Sequence, residues 1–386
     1  MKRFFHVYLF LAVIITYMIS FFGQALSCEF SSSLYANYKR SGGFSETQVV
    51  VGALPEVQCP FFEGKVNSDF KSIYSLRYFE NSGFAMNGEI NEGDGKQAFG
   101  FYRAELRLFT DSSELKVGRQ KISFGPAKLL RSLGWFESES IFDPLGFVEG
   151  VDAVLVRQYF ESNASIWGWG VYADGKPPSS ANEDMLKGKP QYGGRYMGSF
   201  QNTEYGFSFH TGEIRFTNIE GNVRTSESRL KGFDIHVDWY LGSWLEWSIL
   251  EFGSDDYGTT QSSQVTIGSD YTFEHGVHAL LEIQNTNISS VYQDTQYLIS
   301  QILQMSYAAT YSQNLRFTLL NSDVSGSSER MNSIILSYRE VFDEWFYEFQ
   351  LTNTNGSEEG ESLSRSRKFM EQKDGLGMAL FAKFDI

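Results

Sequence analysis

The chain has 386 residues and a formal charge of −15 at pH 7. Its 34 Phe, 21 Tyr and 7 Trp make it 16% aromatic. An acidic balance of this size excludes a nucleic-acid binder and a protein that docks on anionic lipid through a basic patch. With only Cys28 and Cys59, a metal–thiolate site would lack ligands.

The N-terminus carries a positive pair, Lys2 and Arg3, then an apolar run from Phe4 to Phe22, then Ala25-Leu26-Ser27, whose small-x-small form suits a signal peptidase. Residues 1–27 therefore read as an export signal cleaved after Ser27, and its removal takes the formal charge to −17. Acylation of Cys28 is the lipoprotein alternative, although Ala25 stands where that signal wants a branched apolar residue. In an oxidising compartment the default is one disulfide, Cys28–Cys59. Beyond residue 27 no stretch approaches the roughly 18–20 apolar residues of a membrane helix.

Strand after strand then alternates with period two. In 97–109, Tyr102, Ala104, Leu106 and Leu108 oppose Arg103, Glu105 and Arg107. In 204–210, Tyr205, Phe207 and Phe209 oppose Glu204, Ser208 and His210. In 233–241, Phe233, Ile235, Val237, Trp239 and Leu241 oppose Asp234, His236, Asp238 and Tyr240. In 264–273, Val265, Ile267, Tyr271 and Phe273 oppose Gln264, Thr266, Asp270 and Thr272, and 345–352 repeats the pattern. Asp-x-His-x-Asp is also the spelling of a divalent-cation site. On one strand, however, such side chains project in parallel about 6–7 Å apart and need other strands to close a coordination sphere. The blander reading, one dry face and one wet face, fits every segment.

Connections alternate in length. Short ones fall near 55–64, 111–113, 160–163, 200–203, 242–243, 274–276, 312–313 and 340–343. Long polar ones fall near 40–46, 80–97, 125–150, 174–189, 213–228, 254–262, 286–297, 321–330 and 353–374. An all-β, antiparallel, up-and-down transmembrane barrel predicts this beat, with tight periplasmic turns and long outer loops. Aromatics beside the short turns, among them Tyr159, Phe160, Phe200, Trp239, Trp244 and Phe273, suit the headgroup level. Nine long connections give eighteen strands. Without the weakest hairpin, 29–54, the count is sixteen. The last strand, 376–386, presents Leu376, Met378, Leu380, Ala382, Phe384 and Ile386 on one face and resembles the signal by which the barrel-assembly machinery recognises outer-membrane barrels.

Residues 125–150 break the pattern. Leu129, Leu130, Leu133, Trp135, Phe136, Ile141, Phe142 and Phe147 make this connection too apolar to stand in water. Folding into the lumen would bury it and place Lys128 and Arg131 opposite Glu137, Glu139 and Asp143 at a constriction, with a transverse field across it. An outer cap helix across 128–136 is the alternative. The inward rows Arg103, Glu105, Arg107, Asp234, His236, Asp238 and Asp270 would line the lumen with mixed sign.

Gly118-Arg119-Gln120, Phe124-Gly125, Trp135, Asp143-Pro144 and Gly150-Val151-Asp152 together resemble porin-like barrels of the alginate-export type over about residues 100–160. The resemblance implies an eighteen-stranded barrel passing small or oligomeric solutes. The expected protein is thus an outer-membrane channel without a cofactor, in contact with outer-membrane lipid and lipopolysaccharide. Its rivals are a barrel hydrolase using His210 or His236 with Asp234 or Asp238, a plugged structural or adhesive barrel, and a soluble secreted β-protein. The sequence leaves open whether the chain forms a homo-oligomer.

Overall fold

The computed structural model describes residues 28–41, 46–62, 67–84, 90–91, 96–137, 150–172, 184–185, 188–217, 223–253, 259–290, 296–325, 330–356 and 375–385. The expected export signal, 1–27, lies outside them. In chain order the strands are β1 Glu29–Ser41, β2 Glu46–Phe62, β3 Asn67–Phe84, β4 Ile90–Asn91, β5 Lys96–Phe109, β6 Ser113–Gln120, β7 Val151–Tyr159, β8 Ser165–Tyr172, β9 Asp184–Met185 and β10 Pro190–Phe200. The second half adds β11 Thr203–Thr217, β12 Val223–Asp238, β13 Gly242–Phe252, β14 Thr259–Thr272, β15 Val277–Ser290, β16 Gln296–Ala308, β17 Gln313–Val324, β18 Arg330–Val341, β19 Trp345–Gly356 and β20 Gly375–Asp385. The two-residue pieces β4 and β9 are accessories to the eighteen long strands, each of which pairs antiparallel with the next long one. The ring closes where β20 pairs β1, from Ser33 opposite Asp385 to Arg40 opposite Met378. Closure removes every sheet edge, so each backbone donor and acceptor can be met inside the wall.

The two faces of the wall meet different media. Outward side chains include Val154, Val156, Phe207, Phe209, Ile267, Leu281, Ile283 and Leu336, all exposed. Their inward neighbours are Leu155, Ser208, His210, Thr266, Glu282 and Ser337, all buried. An outward band of apolar side chains on strand after strand has no stable partner in water but a natural one in hydrocarbon, and this is the architecture of a transmembrane barrel. Aromatic rings crowd the short-turn rim: Phe342 stacks on Trp345 at 4.1 Å, and Trp345 on Phe384 at 5.4 Å.

Boundaries differ from expectation at several points: the short connection expected near 55–64 is strand as far as Phe62, and two further cases carry a physical reason. The segment 233–241 is strand only to Asp238; Trp239, Tyr240 and Leu241 form the turn and are exposed. Amphipathic rings at the headgroup level alternate no less well in a turn than in a strand, so polarity alone misses the end. Conversely, the long polar connection expected over 213–228 is mostly ladder, with β11 and β12 paired from Thr203 opposite Val237 to Thr217 opposite Val223. Beyond the hydrocarbon both faces of a strand meet water, so polar residues there do not signal a loop. The disulfide joins Cys28 to Cys59 at the rim where β1 begins and β2 ends. The Cys28 sulfur is therefore not free for acylation.

Candidate functional site: an inward segment across the lumen

The third long connection leaves β6 at Gln120, and its described part, 121–137, contains turns and bends but no helix. An outer cap helix across 128–136 is thereby corrected: Leu130 and Leu133 seat this stretch on wall side chains instead of in water. Ile122, Phe124, Leu133, Trp135 and Phe136 form one buried cluster with Ala153, Leu155, Trp169, Val171, Leu230 and Leu250 of the inner wall. Trp135 is fully buried and meets Phe124 edge-on at 5.3 Å. Phe136 lies edge-on to both Trp169 and His210, at 5.9 and 5.1 Å. Further along, Leu129 and Leu130 reach Ile302, Leu320, Val324, Met331 and Ile335 on β16–β18. The segment thus lies along the wall from β7 to β18, with its apolar side chains driven there by the cost of exposing them.

Its backbone is held as firmly as its side chains. Glu246 on β13 accepts the N–H of Ala127 at 2.9 Å and that of Leu133 at 3.0 Å. Glu282 on β15 accepts the N–H groups of Lys128, Leu129 and Leu130 at 2.6, 3.0 and 2.6 Å, and the Trp244 indole N–H at 3.1 Å. Both carboxylates are 0% exposed. A buried charge is tolerable only when donors saturate it, and charge-assisted bonds of this kind are the strong ones. A third anchor joins the Ser132 hydroxyl to that of Thr266 at 2.8 Å, while Thr266 donates to the Leu130 carbonyl at 2.7 Å. Glycines make room at two contacts. Gly125 has φ +95°, and a Cβ there would come within 2.3 Å of Glu246 Oε1. At Gly232 a Cβ would come within 2.4 Å of Leu133 Cδ2.

The expected constriction charges fall as follows. Lys128 is exposed, its ammonium 5.8 Å from the Trp244 ring centre. Arg131 and Glu137 are not on opposite sides of an opening. A turn around Gly134 brings them into one ion pair, and Arg131 also donates to Ser123 and to the Phe124 carbonyl. The local chain reversal sets that pairing, which charge spacing alone does not reveal. Glu139 and Asp143 lie outside the described residues.

Of the expected inward row, Asp234 is buried and takes both guanidinium nitrogens of Arg195 at 2.7 and 2.9 Å. Arg195 also donates to Ser208 and lies 5.1 Å from the Phe124 ring. His236 is half-buried beside Trp244, and Asp238 is exposed. Asp270 is 3.4 Å from His278. Among the described residues no three His, Cys, Asp or Glu converge as metal ligands. Glu105 and Arg107 belong to a network near the short-turn rim: Arg107 and Arg157 clasp Glu114 at 2.6 and 3.1 Å, and Lys116 is 3.5 Å from Glu105. Arg103 is half-buried on the same strand. On the far wall Arg339 pairs with the fully buried Glu348 at 2.7 Å. Sequence reasoning missed the anchoring role of Glu246, Glu282, Thr266 and Gln284, whose amide donates to the Leu130 carbonyl and to the Ser132 hydroxyl, each at 3.3 Å. The only signal was their place on the inward rows; Trp244, expected at the headgroup level, instead turns inward and is buried against Ala127 and Leu280.

No protein-family model and no curated protein matches the chain, so the alginate-export resemblance stands unsupported. Solved structures do match. Pseudomonas aeruginosa OccK5 (OpdH) aligns with a TM-score of 0.65 at 10% identity, covering 93% of this chain and 98% of that one. The outer membrane protein OpdK of the same organism aligns at 0.63 and 10%, with the same coverage, and has also been solved with vanillate. Acinetobacter baumannii OccAB1 aligns at 0.58 and 8%, covering 93% and 96%. The chain therefore shares the fold of these structures, a closed eighteen-stranded antiparallel barrel.

Proposed function

We propose that this chain is an outer-membrane diffusion channel for small hydrophilic solutes, in which the segment 121–137 narrows the lumen. The observation that carries the reading is the seating of that segment: apolar side chains against the inner wall, backbone on two wall carboxylates. A barrel of eighteen strands encloses more space than its own side chains fill, and an inward segment reduces it to the scale of a small solute.

Lys128, exposed on the segment, gives this narrowing a positive group. Vanillate, the solute seen with OpdK, makes small aromatic carboxylates the first solutes to try. A barrel hydrolase has no comparable support. His210 accepts the Trp169 indole N–H at 3.2 Å and donates to Gln191 at 2.8 Å, which leaves neither nitrogen for a nucleophile. The outward row of β20, with Leu376, Leu380 and Phe384 exposed, fits the reading of that strand as the assembly signal.

The test is planar-bilayer conductance of the detergent-purified mature protein, with heat-modifiable gel mobility as the folding control. Discrete conducting steps that competing benzoates block are the expected result. Folded protein that passes no current would sink the proposal.

A further inference from the structure

The anions that hold the inward segment belong to the wall, not to the segment. Three consecutive N–H groups, from Lys128, Leu129 and Leu130, converge on one carboxylate, which is the geometry of an anion-binding nest. Two more, from Ala127 and Leu133, bracket the other. Taken without the wall, residues 127–133 are a backbone receptor for two carboxylates. Glu246 and Glu282 occupy it from β13 and β15. Because both are fully buried and their oxygens are taken up by N–H groups, they lie away from any passing solute.

Resting on the channel reading above, we propose that Glu246 and Glu282 are positioning residues that set the open area of the pore by serving as built-in anions for the segment's N–H nests. On this account the aperture depends on two wall residues that a solute never meets. Truncating Glu282 to alanine leaves three backbone N–H groups and the Trp244 indole N–H facing an empty, carboxylate-sized site. Such donors are costly to bury unmet, so the segment lifts from the wall or takes up an external anion of the same chemistry. Formate and acetate supply that chemistry, whereas chloride lacks the paired oxygens.

The experiment uses whole mature protein in planar bilayers, comparing wild type, Glu246→Ala and Glu282→Ala at constant ionic strength in chloride and then in formate. The expected result is folded, heat-modifiable Glu282→Ala with larger and noisier currents than wild type, returned toward wild type by formate. Glu282→Gln, which keeps the volume and one acceptor oxygen, should fall between. Currents and noise like wild type in both alanine variants would overturn the proposal and leave the channel standing. A rise that formate does not reverse would overturn the anion-nest account. Wild-type protein that folds but passes no current would instead overturn the channel reading beneath it. Should Glu282→Ala fail to fold, Glu246→Ala and Glu282→Gln carry the same readout, and wild-type noise in both would again overturn the proposal.

Discussion

Glu282 Oε2 lies 2.6 Å from the backbone nitrogen of Leu130, across 152 residues of sequence. One end of this bond is a wall strand and the other an irregular segment, and only closure of the barrel brings them together. The bond also explains why the segment needs no helix or strand of its own. Its N–H groups are satisfied by the wall, as buried backbone donors must be, so it can follow the wall's contour instead of its own ladder.

Trp135 is the largest fully buried side chain of the segment. Trp135→Ala should cost about 3–5 kcal/mol of local packing. The barrel itself, held by eighteen pairings, should stay heat-modifiable. The loss should appear as protease cleavage between 121 and 137 and as raised conductance. An uncleaved segment at protease levels that leave the wall intact would contradict the packing described.

Arg195 and Asp234 are both buried and bidentate. Removing either partner alone leaves a buried charge unmatched, at a cost of roughly 3–5 kcal/mol, whereas replacing both by apolar residues of similar volume is often near neutral. Urea-dependent folding into lipid vesicles should therefore rank Arg195→Met and Asp234→Leu well below the double variant. Additive single losses would show that lumen water reaches the pair.

The two basic residues of the segment should separate in function. Lys128 is exposed, so Lys128→Glu should shift the reversal potential in a salt gradient toward cations while leaving the fold unchanged. Arg131 is bound to Glu137, Ser123 and the Phe124 carbonyl. Arg131→Glu should therefore loosen the segment and raise current noise. Identical shifts from both substitutions would argue that Arg131 faces the opening.

The bridge between Cys28 and Cys59 spans 31 residues, and closing a loop of that length is worth roughly 3–4 kcal/mol in the chain-entropy account. Replacing both cysteines by serine should lower the temperature of the gel-mobility transition and leave conductance unchanged, since the bond lies at the rim. A changed conductance would tie the first hairpin to the aperture.

The alternation in 204–210 and 264–273 reports two media on two sides of one strand, and this is local information. Repeated between short and long connections, it pointed to the barrel and to eighteen strands with sixteen as the alternative, while the apolar content of 125–150, not alternation, raised the inward connection against an outer cap helix. Boundaries were less legible, because Trp239 and Tyr240 alternate through a turn and polar residues of β11 and β12 extend the ladder above the hydrocarbon. What only the tertiary structure decided was partnership: Arg131 with Glu137, Asp234 with Arg195, and Glu246 and Glu282 with the backbone of 127–133. A carboxylate on an inward row looks the same in sequence whether it faces water or an N–H nest. Which it meets depends on where the closed wall carries it, and closure is a property of all eighteen strands at once.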